Sequence, residues 1–375
     1  MTKDDEQSSK KSEFDIDILE SSESSNIDFS RLYKECHSFY NNNRYLDAIK
    51  YCNKLIKIYP DDAKLHYVKG CSLEKIGKLT ESISSFSKAI KINKNYEEAI
   101  YKKGIVLTKL NNYEEAIECY NEAIKIKPDD VDALNNKGYS CNNLGKYEEA
   151  IECYNEAIKI KPDDVDALNN KGYSCNNLGK YEEAIECYDE AIRIKPDDVN
   201  AISNKGVALA NLGKYDEAII CYDEAIRIRP DLLTISNKGV ALANLGKYDE
   251  AIECYDEAIR INPDYAYAYY NKGVALANLG KYDLSIECYD EALKIKPDYA
   301  YAYYGKGYSC NNLGKYDEAI ECYDEAIRIN PDYAYAYYGK AKNLKRIGND
   351  AEAQKYFKIA KELEAKNTMY ITTTV

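Results

Sequence analysis

A chain of 375 residues with 39 Tyr, no Trp, 18 Gly and 8 Pro departs from average composition, and such bias points to internal repetition. The net charge is −13, of which residues 1–28 carry −6 (three Lys against nine Asp and Glu), so a phosphate-tracking nucleic-acid binder is not expected. No apolar run approaches the roughly 20 residues that span a bilayer, and thirteen Cys without a CxxC spacing imply neither a disulfide framework nor a zinc site.

Residues 1–28 combine charge and serine with few apolar groups, and disorder is expected there. The start is acidic and serine-rich rather than basic then apolar, and the thiols suit a reducing compartment, so a cytoplasmic or nuclear, non-secreted protein is expected. Within this segment Ile16-Asp17-Ile18-Leu19, followed by acid and serine, resembles motifs that add a strand to the small ubiquitin-like modifier.

From Phe29 onward the chain repeats. Taking Val131–Asp164 as reference and counting its positions from 1 to 34, ten repeats follow: 29–62, 63–96, 97–130, 131–164, 165–198, 199–231, 232–265, 266–299, 300–333 and 334–367. Each has an Ala-rich first segment, a Leu-Gly-Lys-Tyr type break, a second segment of AIECYDEAI type and Pro near its end, which predicts helix, turn, helix, stop. Small residues Gly138, Ala150 and Ala157 (positions 8, 20 and 27) stand opposite the larger Leu144, Tyr147, Ile151 and Tyr154, and neither helix can bury its stripe alone. Stacking repeat on repeat supplies a continuous core.

A 34-residue helix-turn-helix with Gly at 8, Ala at 20, an aromatic at 24, Ala at 27 and Pro at 32 resembles the tetratricopeptide repeat (TPR) family. The resemblance implies an all-α fold, a TPR α-solenoid forming a right-handed superhelix of antiparallel helix pairs. It departs at position 7, where an apolar residue gives way to Lys, as in Lys137. That lysine's stem is expected to lie on apolar surface with its ammonium in water.

In proteins of this kind the first helices line a concave surface that holds extended peptides. Positions 2, 6, 9 and 13 form a stripe opposite the core face, with 5 and 12 beside it. Position 6 is Asn in five consecutive repeats, Asn136, Asn170, Asn204, Asn237 and Asn271. A row of amides, each both donor and acceptor, can bond successive peptide units whatever their side chains, and it resembles the asparagine ladder of the O-linked N-acetylglucosamine transferase superhelix. Position 13 adds Asn143, Asn177, Asn211, Asn244, Asn278 and Asn312.

The array has a fault at Pro230–Gly239, which is one residue shorter than its counterparts. Leu232 and Leu233 stand there where Asp, Val or Asn is usual, and Ile220 replaces the common Glu at position 22, so an exposed apolar patch is expected. Beyond it, PDYAYAYY begins at Pro263, Pro297 and Pro331. Alone it reads as a strand, but the period places it on the first turn of a first helix, with Asp at position 33 as the expected cap. Tyr267, Tyr270, Tyr301, Tyr304, Tyr335 and Tyr338 then fall at positions 2 and 5 and are expected on the peptide-binding face; packing between repeats is the competing role.

Seven cysteines share position 23 and three share position 11, a placement that follows the repeat and suits small buried hydrophobes. Only His37 and His66 occur, and no phosphate loop or nucleophile elbow is present, so no catalytic residue, metal or cofactor is expected. Thr373-Thr374-Val375 resembles a C-terminal PDZ ligand, within a short tail expected at 368–375.

The expected function is a non-enzymatic scaffold for other proteins or peptide segments, with neither nucleic acid nor membrane as partner. A self-assembling structural array, forming homo-oligomers, is the alternative. A chaperone C-terminal-carboxylate adaptor is a weaker one, because the cations which that resemblance requires are out of register.

Overall fold

The structure, a computed structural model, describes residues 29–373, with side chains from 30 to 366. The 1–28 segment with its Ile16–Leu19 motif, and the side chains of Thr373–Val375, therefore lie outside the described residues. Twenty helices and no strand are found among those described. First helices run 13 residues (α1 Phe29–Asn41, α3 Ala63–Lys75, α5 Glu97–Lys109, α7 Val131–Asn143, α9 Val165–Asn177). Second helices run 14 (α2 Tyr45–Ile58, α4 Leu79–Ile92, α6 Tyr113–Ile126, α8 Tyr147–Ile160, α10 Tyr181–Ile194). The same alternation gives α11 Val199–Asn211, α12 Tyr215–Ile228, α13 Leu232–Asn244, α14 Tyr248–Ile261 and α15 Ala266–Asn278. It continues through α16 Tyr282–Ile295, α17 Ala300–Asn312, α18 Tyr316–Ile329, α19 Ala334–Arg346 and α20 Asp350–Thr373.

Two compact units partition the chain, one ending at Ile194 and the other starting at Lys195. Within each, a first helix packs on the second helix of its own repeat, and that helix packs on the first helix of the next. Between paired helices the chain reverses through a left-handed residue, Gly145 at φ 73° for example, which costs glycine nothing because it lacks Cβ. Asn111 makes the same turn at φ 61°, asparagine being among the few other residues that tolerate it.

The cap is not where the sequence suggested. The side chains of Asp130 and Asp164, at position 34, accept from the backbone N–H of Ala133 and Ala167 at 3.0 Å, whereas position 33 was expected to serve. Where position 34 is Tyr265, Tyr299 or Tyr333, no side chain caps the helix. The fault at Pro230 is absorbed in this same turn: Asp231 is more extended (φ −138°, ψ 152°) than Asp164 (φ −78°, ψ 95°) and still receives the N–H groups of Leu233 and Thr234. At the far end no proline stands at position 32, and α20 runs to Thr373, so the expected tail from 368 begins as helix.

The core follows the small-against-large pattern. In the first unit Tyr154 is fully buried among Leu134, Cys141, Ala150, Ala157 and Ala167. In the second, Tyr255 is enclosed by Ile235, Leu242, Ala251, Ala258 and Ala268. All thirteen cysteines are free thiols and all but Cys221 are buried. The Cys153 thiol is pushed up by its hydrogen bond with Cys141 and by burial, which makes it a poor nucleophile.

Position 7 explains itself only across the repeat boundary. In the second unit Lys238, Lys272, Lys306 and Lys340 each meet an Asp at position 25 of the preceding repeat: Asp223, Asp256, Asp290 and Asp324, at 2.5–2.6 Å. The ammonium, expected in water, instead clasps an acid of the neighbouring repeat.

Candidate functional site

In the first unit, the face of the first helices opposite the core carries Tyr139 and Tyr173 at position 9, each almost half exposed. Beside them the exposed Asn143 and Asn177 donate Nδ2–H to the carbonyls of Tyr139 and Tyr173, both at 2.8 Å. This bond to the preceding turn orients each amide and spends one of its two N–H groups.

Position 6 is more enclosed than the sequence implied. Asn136 and Asn170 are half-buried. Asn136 Nδ2 donates to Tyr101 Oη of the preceding repeat at 3.1 Å and to the Asp132 carbonyl at 2.8 Å. Tyr101 is itself held neutral, first by burial and then by the charge of Asp132. Next to this row runs a polar ladder that the sequence reading missed: Thr108 Oγ1 lies 3.4 Å from Ser140 Oγ, and Ser174 Oγ donates to Asn142 Oδ1 at 2.7 Å. Its sequence signal is Thr or Asn at position 12 followed by Ser at position 10 of the next repeat, visible only once those positions are known to face each other.

In the second unit Asn204, Asn237 and Asn271 are likewise half-buried, and the Nδ2 of Asn271 is enclosed without a hydrogen-bond partner. The exposed Asn244, Asn278 and Asn312 repeat the bond to the turn behind them, donating to Val240, Val274 and Tyr308 at 2.8–2.9 Å.

The PDYAYAYY tyrosines separate into two sets. Tyr270 and Tyr304, at position 5, are half-buried and pack on the tyrosine that precedes the following first helix: Tyr270 on Tyr299, and Tyr304 on Tyr333, with centroids 5.0 and 5.2 Å apart. Burial raises the pKa of both phenols. Each of these two rings thus packs on the tyrosine at position 34 of its own repeat, and the exposure expected of them is not observed. Tyr267, Tyr301 and Tyr335, at position 2, are 40–63% exposed, as are Tyr308 at position 9 and Tyr338. Tyr301 stacks edge-on against Tyr333 at 5.2 Å and Tyr335 against the same ring at 6.2 Å, so the exposed phenols stand on a fixed aromatic base.

Of the residues at the array fault, Ile220 and Leu233 are exposed by about two thirds. Leu232 is not: it is partly buried against the cluster around Tyr255, because as the first residue of α13 it follows the shortened turn inward. Among the described residues no group of three or more His, Cys, Asp or Glu is placed to hold a metal ion, and no helix is long and apolar enough to cross a membrane.

Tetratricopeptide repeat models match residues 63–96, 131–164, 165–198, 199–232, 266–299 and 300–333, and a TPR repeat model matches 104–141 and 239–280. Among solved structures, a tetratricopeptide repeat protein from Parabacteroides merdae is similar over 70% of this chain and 98% of its own, at 17% identity and a TM-score of 0.54. Yeast Tom70 is similar over 92% of this chain and 94% of its own, at 14% identity and a TM-score of 0.49. MamA aligns with 44% of this chain and 97% of its own, at 30% identity and a TM-score of 0.41. No curated protein sequence matches the chain.

Proposed function

The chain belongs to the tetratricopeptide repeat family, and from that membership we propose that it is a non-enzymatic protein-interaction scaffold whose first-helix faces hold extended peptide segments. One observation carries the finer part. Within each unit, on the face of the first helices opposite the core and at one-repeat spacing, stand large exposed phenols and exposed amides whose orientation is already set by a bond to their own helix. Ordered amides lose little freedom on binding, and each keeps one N–H and its Oδ1 for a peptide backbone. The phenols offer contact area at low entropic cost. The amides hold backbone, and the tyrosines choose side chains.

Within this reading the outer row at position 13 does more of the holding than position 6, since Asn136 already bonds Tyr101 and Asn271 turns its Nδ2 inward. The test uses an immobilised random peptide library and the full chain. Replacing Asn143, Asn177, Asn244, Asn278 and Asn312 by Ala should leave far-UV helicity unchanged and weaken capture on the order of a hundredfold, at about 0.5–1.5 kcal/mol per lost bond. Replacing Asn136, Asn170, Asn204, Asn237 and Asn271 should weaken it less. Undiminished capture by both variants would move the site off this face.

A further inference from the structure

The second helices carry a charge pattern that reverses sign in the first two repeats. Position 26 is Glu in the seven repeats from 97 to 333, and in four of them it pairs closely with the cation three residues on: Glu190 with Arg193, Glu257 with Arg260, Glu291 with Lys294 and Glu325 with Arg328, at 2.5–3.3 Å. In the first two repeats the same position is Lys54 and Lys88. Lys91 thus has a second ammonium where its carboxylate partner would be. Residues 63–96 hold seven Lys against two Glu, a net +5 in a chain of net −13.

These cations line two adjoining clefts on the second-helix side of the first unit, away from the face proposed above. One, of about 560 Å³, is bounded by Ile56, His66, Lys88 and Lys91. The other, of about 580 Å³, has Ile90, Ile100 and Ile126 with Lys91, Lys94 and Lys125 at its edge. Two acids share the lining, Asp61 and Glu122, so cations predominate without being alone. The field is felt nearby: Lys69 is pushed down by burial first and then by the Lys88 charge. An aliphatic floor with an ammonium rim fits a peptide that alternates aliphatic and acidic side chains.

Such a peptide lies in this chain. Residues 14–20 read Phe-Asp-Ile-Asp-Ile-Leu-Glu, within a segment of net −6. We propose that residues 14–20 dock in cis on the Lys88–Lys91–Lys94 clefts, Ile16, Ile18 and Leu19 against the isoleucine floor and Asp15, Asp17 and Glu20 against the lysines. The reach is sufficient. Because α1 to α4 alternate in direction through short turns, Phe29 at the start of α1 lies at the same end as the C-terminus of α4. The eight residues from 21 to 28 span at most about 30 Å, while two packed helices are crossed in about 20 Å.

The test is zero-length carbodiimide coupling of the full chain, read by mass spectrometry. Amide links from Asp15, Asp17 or Glu20 should concentrate on Lys88, Lys91 and Lys94. They should fall about fivefold or more in 0.5 M salt, where the Debye length is only about 4 Å. The variant Ile16→Ser/Ile18→Ser/Leu19→Ser, which keeps every carboxylate and leaves the repeats untouched, should show a similar fall. Links spread evenly over the lysines of the other repeats, or absent, would overturn the proposal. So would links that join ¹⁴N to ¹⁵N chains in an equal mixture, which would place the segment on a second copy.

Discussion

A methyl group on Gly305 would stand 2.5 Å from Cζ of Tyr289 in the preceding repeat. The opposite side of the same ring meets Gly273, where a Cβ would stand 2.7 Å from Cε1. The phenol is therefore held between two glycines, one from its own repeat and one from the next. Tyr323 is held in the same way between Gly307 and Gly339.

Gly305→Ala should consequently destabilise the protein despite the better helix propensity of alanine. Overpacking costs about 1–3 kcal/mol and the gain in a helix interior is about 0.5–1 kcal/mol, so a net loss of about 1 kcal/mol is expected. Urea unfolding followed by far-UV circular dichroism measures it. In a double-mutant cycle with Tyr289→Leu most of the penalty should disappear; an unchanged penalty would show that the ring is not the obstacle.

The two sets of tyrosines should respond differently to truncation. Tyr304→Ala removes a ring packed on Tyr323 and Tyr333 and should cost about 2 kcal/mol. Tyr267→Ala and Tyr335→Ala, on exposed rings, should cost about 0.5 kcal/mol or less while changing which library peptides are captured. Equal costs for both sets would mean that position 2 is structural as well.

Alkaline pH should unfold the protein. Burial pushes the Tyr120 phenol up to about 12, and the enclosed Tyr154, Tyr188, Tyr222 and Tyr255 higher still. Each folded pKa lies above the unfolded value of about 10, so the neutral phenol's contribution is complete below pH 10 and is lost as pH rises beyond it. Thermal midpoints should decline gently from about pH 8.5, where unfolded thiols ionise while burial holds those of Cys119, Cys254 and Cys288 up at about 11, and fall steeply above about 10. The last part of the phenolate absorbance, from the enclosed rings, should appear together with the loss of helicity, and full ionisation with helicity intact would contradict the burial.

The Lys306–Asp290 clasp between repeats should show a coupling of about 0.5–1 kcal/mol in a cycle of Lys306→Ala and Asp290→Ala, reduced by salt because Asp290 is almost half exposed. Reversing both charges should restore most of the coupling. A coupling of zero at low salt would assign the lysine to packing alone.

By itself the sequence determined the period, the helix-turn-helix content of each repeat and the inward face of each helix. These follow from the chain's own spacing: small residues at 8, 20 and 27 must lie together once two helices of fixed pitch are joined by a left-handed turn. It also determined that the tyrosines of PDYAYAYY lie on a first helix rather than a strand. What it could not decide was what meets each residue from the rest of the packed array. Position 5 looked as exposed as position 2 on a helical wheel, yet Tyr304 lies against Tyr333 while Tyr335 stands out. Lys306 looked misplaced until Asp290 appeared opposite it. Asn136 looked available until Tyr101 took its N–H. A wheel describes one helix in isolation, whereas exposure and partnership are set by the surface of the neighbour, and that surface exists only after the repeats have stacked.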